Sequence, residues 1–296
     1  MEFDLSKLES LANIVQSNII GYQLLSDSHS GGVFLIDFES HKQVVCKFDS
    51  NYDYEQERES AVSKLLESEN YSLSFLSEKS LLEIPKTIVC SKNYLAMDYI
   101  KDYKLESRSK LAAYDISALH SQTHSSFGFS KNNFIGGIIQ RNEFNSSWSN
   151  FYSEQRLLPV AELLLKKEII GPVFFERLQS FCSSIGQYIP SNPKISLLHG
   201  DLWNGNILSA QSKKLYYIDP APYYGHNEIE IAFLLMFQTF DQEFYSIYNS
   251  FHKLDNDFYS LRCPIYQIYP NLIHALLYED SSYLYSVNKI LKQLSF

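Results

Sequence analysis

A short polar segment near residue 200 limits the possible folds of this chain more than any other part of the sequence. Residues 198–220 read LHGDLWNGNILSAQSKKLYYIDP and place His199, Asp201, Asn206 and Asp219 between short apolar runs. Apolar runs of this length, bounded by turn residues, are typical of buried strands. We therefore expect the four polar side chains at strand ends and on the joining loops, where catalytic residues are commonly found.

The spacing of these residues indicates a particular chemistry. The order His199-x-Asp201-x-x-x-x-Asn206, with Asp219 after a short hairpin, has the spacing found in the catalytic loop and metal-binding aspartate of protein-kinase-like enzymes. In such a site Asp201 is the base, and Asn206 and Asp219 hold Mg²⁺ against the phosphates of ATP. His199 would support the loop by hydrogen bonds. The alternative is a polar hairpin whose acids merely cap helices.

The first hundred residues contain candidates for the nucleotide side of such a site. Lys47 lies within the apolar strand VVCKF and would hold the α- and β-phosphates. The next helix, predicted from Tyr54 to Ser68, offers Glu59 as the acid that pairs with Lys47, with Glu57 as second choice. The alternatives are an edge lysine that faces solvent and a solvated acidic helix face.

Two further segments would complete the nucleotide site. Gly31 and Gly32, in SDSHSGGVF, are small enough to bring backbone N–H groups to a polyphosphate. This segment has no GxGxxG pattern and equally suits a plain hairpin turn. Met97, Asp98 and Ile100, in LAMDYI, occupy the expected connection between two lobes, where backbone groups would bind adenine.

The order of elements predicts an α+β fold with two lobes. Residues 1–100 contain strand-like segments that indicate a small antiparallel sheet, and residues 101–296 are dominated by helical periodicity. The abrupt polar stretch IKDYKLESRSK places the boundary just after residue 100. The first lobe would bind ATP, and the second would carry the catalytic loop, the metal ligands and the acceptor site.

Composition argues against several other classes of protein. The formal net charge of −9 disfavours a general nucleic-acid or membrane-surface binder. No apolar run approaches the ~20 residues needed to span a bilayer. The acidic start of the chain is unlike a secretory signal, and the scattered cysteines form no CxxC pair. We therefore expect a cytoplasmic location, with neither a zinc cage nor a disulfide framework.

Two longer blocks carry a resemblance to a known family. HGDLWNGN is followed by YYIDPAPYYGHNEIEIA, and the segment from Leu119 to Glu162 contains N-x-I-G-G-x-x-Q-x-N and W-x-x-F-Y-x-x-Q-R-L. Together they resemble the fructosamine kinase (ketosamine-3-kinase) family, relatives of aminoglycoside and choline kinases. The resemblance implies a two-lobed protein-kinase-like fold and ATP-dependent phosphorylation of the sugar 3-hydroxyl of ketoamines. The phosphorylated adduct falls apart and frees the amine, so the implied role is repair of glycated amines or proteins.

The resemblance also assigns roles to residues. Asp201 matches the base, Asn206 and Asp219 match the metal ligands, and Lys47 matches the phosphate-binding lysine. Glu230, in EIEIA, is expected to brace the catalytic loop through backbone N–H groups. The ketoamine site is expected to combine a polar loop with an aromatic side chain that stacks on the substrate: Asn133, Gly136, Gln140, Asn142 and Trp203.

Other interpretations of the same residues lead to other proteins. Arg156 would position the polar loop or, with Trp148 and Phe151, only pack a helix face into the second lobe. A choline or aminoglycoside kinase would share the catalytic residues. A pseudokinase that only binds partners would usually lack the lysine, the base or the metal aspartate, all of which are present here. A metal hydrolase would use His199, Asp201, Asp219 and His226, and it would need these ligands clustered about a zinc ion.

Overall fold

The first part of the molecule is a five-stranded antiparallel sheet. The structure is a computed structural model that describes residues 8–28, 31–48 and 56–296. The sheet has the strand order β1-β2-β3-β5-β4. Its strands are β1 (Ile19–Ser28), β2 (Gly31–Phe38), β3 (Gln43–Phe48), β4 (Thr87–Cys90) and β5 (Tyr94–Asp98), with helix α1 (Glu9–Val15) before β1 and helix α2 (Gln56–Lys79) between β3 and β4. The antiparallel sheet predicted for this part is confirmed.

The alternation of side chains along β3 sets the direction of Lys47. Val44 and Cys46 are buried in a cluster that includes α1, whereas Val45 packs on the other face of the sheet against a cluster that contains Leu66 of α2. Because side chains alternate along a strand, Lys47 shares the face of Val45. The lysine therefore projects toward α2.

Helix α2 is longer at its C-terminal end than the sequence predicted. The prediction ended at Ser68, but the helix continues to Lys79. No Gly or Pro interrupts SENYSLSFLSEK, and Leu73 and Leu76 extend the buried face of the helix. The extra turns carry acids that the shorter helix would have left out.

The second part of the molecule is mainly helical and contains most of the core. Its helices are α3 (Arg108–His120), α4 (Trp148–Tyr152), α5 (Leu158–Lys166), α6 (Pro172–Ser184), α7 (Asn227–Met236), α8 (Gln242–Phe251), α9 (Cys263–Tyr266), α10 (Ile268–Tyr278) and α11 (Ser282–Gln293). Three two-stranded ladders complete it: β6 (Asn133–Ile135) with β7 (Ile138–Gln140), β8 (Ile195–Leu198) with β11 (Tyr223–His226), and β9 (Ile207–Ser209) with β10 (Leu215–Tyr217). This mixture confirms the α+β class, while the division of the chain after residue 100 stays a prediction. Within the described ranges, no helix is long and apolar enough to cross a membrane.

Candidate active site

Short strands bring the residues of the polar segment together. His199 and Asp201 follow β8, Asn206 ends a 3₁₀ turn just before β9, and Asp219 follows β10. All four therefore lie where the apolar runs end, as the sequence predicted. The two ladders that carry these strands fix the distances between them.

A close backbone crossing locks the catalytic loop against the segment after Asp219. The N–H of Ala221 donates to the carbonyl of His199 at 2.9 Å. Gly200 has a φ of +88°, and a Cβ at this position would lie 1.9 Å from the carbonyl oxygen of Ala221. Only glycine fits there. Asp219 is itself held at a φ of +55°, a sparsely populated conformation that is often found at functional sites.

The side chains of Asp201 and Asn206 are oriented by each other. The amide nitrogen of Asn206 donates to the backbone carbonyl of Asp201 at 2.7 Å and to its carboxylate at 3.3 Å. These bonds leave the amide oxygen of Asn206 for a ligand. Burial, and secondly the negative charge of Asp219, raise the pKa of Asp201 to about 7.

Lys47 joins the sheet to the catalytic segment. Its Nζ lies 2.6 Å from Oε1 of Glu69 and also contacts Oδ1 of Asp219. Burial alone would lower the pKa of Lys47, but the two carboxylates outweigh it and hold the pKa above its ordinary value. Lys47 is therefore a fixed positive charge at neutral pH.

The acid observed beside Lys47 lies beyond the predicted end of the helix. Glu59 was expected, and its side chain, like that of Glu57, lies outside the described residues. The observed partner is Glu69, further along the same helix and beyond the predicted end at Ser68. The pairing of Glu59 with Lys47 stays a prediction, and Glu69 was not considered because the predicted helix ended too early.

A buried carboxylate supports the catalytic loop from beneath. Glu230, which is 4% exposed, accepts from the backbone N–H of Gly200 at 2.7 Å and of His199 at 3.3 Å. His120 Nε2 lies 2.9 Å from the same carboxylate, and His120 Nδ1 lies 2.7 Å from the hydroxyl of Tyr248. Burial opposes ionisation of Glu230, but these hydrogen bonds and the neighbouring histidines outweigh it and lower its pKa.

His199 supports the conformation of the catalytic loop and does not act as the general base. Burial lowers its pKa, so the ring is neutral at pH 7. Its Nδ1 lies 3.4 Å from the backbone N–H of Asp201. The geometry matches the expected supporting position for His199.

A cleft of about 340 Å³ brings eight of the predicted site residues together with Glu69. Its walls include Gly32, Lys47, Glu69, Asn133, Gly136, Asp201, Trp203, Asn206 and Asp219. The ring of Trp203 is 39% exposed, and its centroid lies 5.7 Å from that of Phe237. Gly31 begins β2 directly beside Gly32. The cleft thus lies between the sheet and the catalytic segment.

The residues predicted to connect the two lobes lie outside this cleft. The side chain of Met97 is buried in the cluster on α2, and the N–H of Asp98 donates to the carbonyl of Lys86 at 3.0 Å. Ile100 follows the end of β5. Adenine binding by this segment stays a prediction.

Two residues predicted to contact substrate are buried behind the cleft instead. Gln140 and Asn142 are each 1% exposed, and their amide nitrogens donate to Oδ1 of Asn133 at 2.8 and 3.0 Å. Asn133 in turn donates to the carbonyl of Pro222 at 2.8 Å. Of the three amides, only Asn133 lines the cleft. Gln140 and Asn142 are wrong as direct contacts because the loop turns their side chains inward, where buried polar groups must be paired.

Arg156 holds this amide network in place. Its guanidinium is fully buried, donates to Oδ1 of Asn142 at 2.7 Å and also contacts the carbonyl of Arg141. The same group lies 4.1 Å from the ring centroid of Tyr223 and 4.6 Å from that of Phe151. Aromatic faces stabilise a buried cation. Arg156 is therefore both packed into the helical core and bonded to the loop, so both interpretations of this residue apply.

The oxygen groups around Asp219 fit a magnesium ion. The amide oxygen of Asn206 has no hydrogen-bond partner among the described residues, and the carboxylate of Asp219 is partly exposed. Both are hard ligands, and Mg²⁺ commonly takes one or two protein oxygens together with phosphate and water. Among the described residues, no three His, Cys, Asp or Glu side chains are grouped as a metal-binding cluster. The donor set thus suits Mg²⁺ with a nucleotide better than a zinc cage.

Comparison with known proteins identifies the family. Residues 41–295 match the family model described as fructosamine kinase. The chain belongs to the fructosamine kinase family. A protein of Enterococcus faecium named "Probable ketoamine kinase" is 31% identical over 207 residues, which cover 68% of this chain and 74% of that protein.

Solved structures agree with this family and its fold. A crystal structure from Haemophilus somnus, described as "Putative fructosamine-3-kinase", has a TM-score of 0.82 and 25% identity over 96% of this chain and 94% of its own. The choline kinase LicA of Streptococcus pneumoniae has a TM-score of 0.62 and 15% identity over 98% of this chain and 97% of its own. The protein-kinase-like fold predicted from the sequence is confirmed. With this fold and family, the chain is an ATP-dependent phosphotransferase.

Sequence reasoning missed His120 and Glu69. His120 meets Glu230 across 110 positions of sequence, so no local spacing connects them. A histidine beside the apolar Leu119 in a predicted helix was the only signal in the sequence, and such a residue usually has a structural role. Glu69 could not be predicted as the partner of Lys47 without knowing where α2 ends.

Proposed function

We propose that this chain transfers the γ-phosphoryl group of ATP to the sugar 3-hydroxyl of ketoamines. The observation that carries the proposal is the meeting of Lys47, Asp201, Asn206 and Asp219 on the walls of one cleft. Relatives named as ketoamine kinases support this acceptor class over choline or aminoglycosides.

Asp201 is the proposed general base. Its carboxylate accepts the proton of the 3-hydroxyl as the hydroxyl oxygen bonds to the γ-phosphorus and the bond to the bridging oxygen of ADP breaks. A base with a pKa of about 7 is well matched to proton transfer near neutral pH. The bond from the amide of Asn206 keeps the carboxylate from rotating away.

We propose that the wall of the cleft formed by the β1–β5 sheet and α2 binds the phosphates of the nucleotide. Lys47 supplies a fixed positive charge, and Glu69 orients the lysine from α2. Asn206 and Asp219 would hold Mg²⁺, which neutralises charge on the phosphates when it is bound. Gly31 and Gly32 are the proposed backbone cover of the phosphates, because their lack of a side chain permits close approach.

The acceptor would enter beside the β6–β7 hairpin. Asn133 has one amide hydrogen beyond its bond to Pro222, and Gly136 offers backbone at the wall of the cleft. The exposed ring of Trp203 would stack on the ketoamine, as aromatic rings do on the apolar faces of sugars. Arg156 and the buried amides hold this wall at a fixed distance from Asp201.

Deglycation is the proposed physiological outcome. A ketoamine phosphorylated at the 3-position is unstable and releases the free amine, so the reaction would repair glycated amines or proteins. The requirement for ATP supports the proposed cytoplasmic location.

The test is a comparison of acceptors with purified protein and Mg·ATP. ADP release would be measured with fructosyl-lysine, ribulosyl-lysine, choline and an aminoglycoside, and ³¹P NMR would locate the new phosphate. We expect turnover with the ketoamines alone and a phosphate on the 3-oxygen. Turnover with choline or the aminoglycoside, or none with any acceptor while ATP still binds, would contradict the proposal.

A further inference from the structure

A second depression lies beside the catalytic cleft on the helical side. It is an open groove of about 740 Å³ formed by the β6–β7 hairpin, α5 and α10. Three of its apolar side chains are unusually accessible: Ile139 is 59% exposed, Leu163 is 41% exposed and Tyr278 is 57% exposed. Accessible apolar groups gathered in one place are typical of a surface that binds another molecule.

The β6–β7 hairpin connects this groove to the cleft. Gly137 lines both. Phe134 and Ile139 are directly opposite each other in the ladder, so their side chains lie on the same face of the hairpin. Phe134 lines the cleft and Ile139 lines the groove. An apolar surface therefore runs from the proposed acceptor wall into the groove.

Strand β7 also presents an unused hydrogen-bonding edge. Gly136 and Gly137, with φ values of +55° and +85°, form the two-residue turn of the hairpin. Such a turn makes Ile135 and Ile138 the hydrogen-bonded pair, so the N–H and C=O of Ile139 point away from β6. Within the described part of the chain, neither group has a backbone partner. An extended peptide can pair with an edge of this kind.

The charges of the groove balance each other. Lys167 and Glu279 lie on its wall and form an ion pair at 3.3 Å. A ligand of the groove would therefore be selected by its apolar side chains and its backbone, and not by net charge.

We propose that this groove binds the polypeptide that carries the ketoamine, as an extended segment beside β7 with an apolar side chain against Ile139. This inference rests on the proposed ketoamine kinase activity. A free ketoamine needs only the cleft, whereas a ketoamine on a lysine side chain places its main chain outside the cleft, where the groove begins. The groove makes peptide-borne ketoamines with apolar neighbours the preferred acceptors.

The test uses two acceptors and two matched variants. The acceptors are free fructosyl-lysine and a short peptide in which leucine flanks the fructosyl-lysine. Ile139→Asp adds a charge in the groove, and Val173→Asp makes the same kind of change at a residue that is 71% exposed on α6, outside the groove. Both sites are accessible, so both variants should fold.

We expect Ile139→Asp to lower kcat/KM for the peptide by about tenfold, mainly through KM, because an apolar side chain loses its contact surface. Turnover of free fructosyl-lysine should not change, and Val173→Asp should affect neither acceptor. If wild type phosphorylates both acceptors and Ile139→Asp affects them equally or not at all, the groove does not bind the peptide and the kinase activity still stands.

Two other results would also overturn the inference. A wild-type protein that phosphorylates neither acceptor would contradict the proposed function itself. A dimer in solution that Ile139→Asp dissociates would assign the groove to a second copy of the chain.

Discussion

The two sides of the catalytic cleft are held together in different ways. On the helical side, the buried carboxylate of Glu230 accepts directly from backbone N–H groups of the catalytic loop. On the sheet side, Lys47 contacts the carboxylates of Glu69 and Asp219, whose side chains are 22% and 41% exposed. Water and phosphate can compete for the second set of contacts but cannot reach the first.

This difference indicates which half of the site exists before any ligand arrives. Buried hydrogen bonds to a charged group are strong and costly to break, whereas accessible ion pairs are worth little. We infer that the catalytic loop is already in place in the free protein, and that the contacts of Lys47 are exchanged for phosphate oxygens when the nucleotide binds. Substitutions on the two sides should therefore have different signatures.

The largest effect is expected at the base. Asp201→Asn keeps the size and the position of the side chain but removes its ability to take a proton, so kcat should fall by about 10²–10⁴ with little change in the affinity for ATP. The measurements are steady-state kinetics and ATP binding by calorimetry. Asp257→Asn, at an exposed position, is the matched control. A rate within about tenfold of wild type would exclude Asp201 as the base.

A large effect on both rate and stability is expected at Glu230. Glu230→Gln places an amide N–H₂ opposite the backbone donors, which should lower the free energy of unfolding by about 2–4 kcal/mol. The loosened loop should lower kcat by about 10–100-fold. Urea unfolding and kinetics would measure the two effects, and a variant with unchanged stability would show that this carboxylate does not hold the loop.

A Glu→Gln substitution on the sheet side of the cleft should affect only the binding of the nucleotide. Glu69→Gln weakens the hold on Lys47, so KM for ATP should rise by up to about tenfold while stability changes by less than about 1 kcal/mol. Glu78→Gln, on the exposed face near the end of α2, is the control. A loss of stability as large as that of Glu230→Gln would remove the distinction between the two sides.

The last effect is a dependence of stability on pH. Because the pKa of Asp201 is raised to about 7, its proton is bound more tightly in the folded than in the unfolded chain. Wild type should therefore lose stability as the pH rises from about 4 to 7, and Asp201→Asn should not share this loss. We compare the free energy of unfolding of Asp201→Asn with that of wild type, both in EDTA. The variant's advantage over wild type should be about 1–3 kcal/mol larger at pH 8 than at pH 5. Thermal unfolding at the two pH values measures it, and a gain that does not depend on pH would contradict the raised pKa.

The same two sides differ in how well the sequence predicted them. His199, Asp201, Asn206 and Asp219 were placed correctly because they lie close together in sequence and their spacing follows from short strands and turns. Glu69 could not be chosen from the acids of α2 without knowing where the helix ends and which turn faces Lys47.

The acceptor wall shows a second limit of sequence patterns. Asn133, Gln140 and Asn142 look equivalent in NNFIGGIIQRN, yet only Asn133 lines the cleft. The difference depends on the carbonyl of Pro222 and on the guanidinium of Arg156, which come from distant parts of the chain. His120 was missed for the same reason, because its partner Glu230 is reached only through the fold.

The central claim is that the catalytic loop has its final conformation before the nucleotide binds. Its most direct test is amide hydrogen exchange, measured for the free protein and for its complex with Mg²⁺ and a non-hydrolysable ATP analogue. We expect the N–H groups of His199 and Gly200 to exchange slowly in the free protein and equally slowly in the complex. Fast exchange in the free protein, with protection only after the nucleotide binds, would contradict this and would mean that the ligand assembles the catalytic loop.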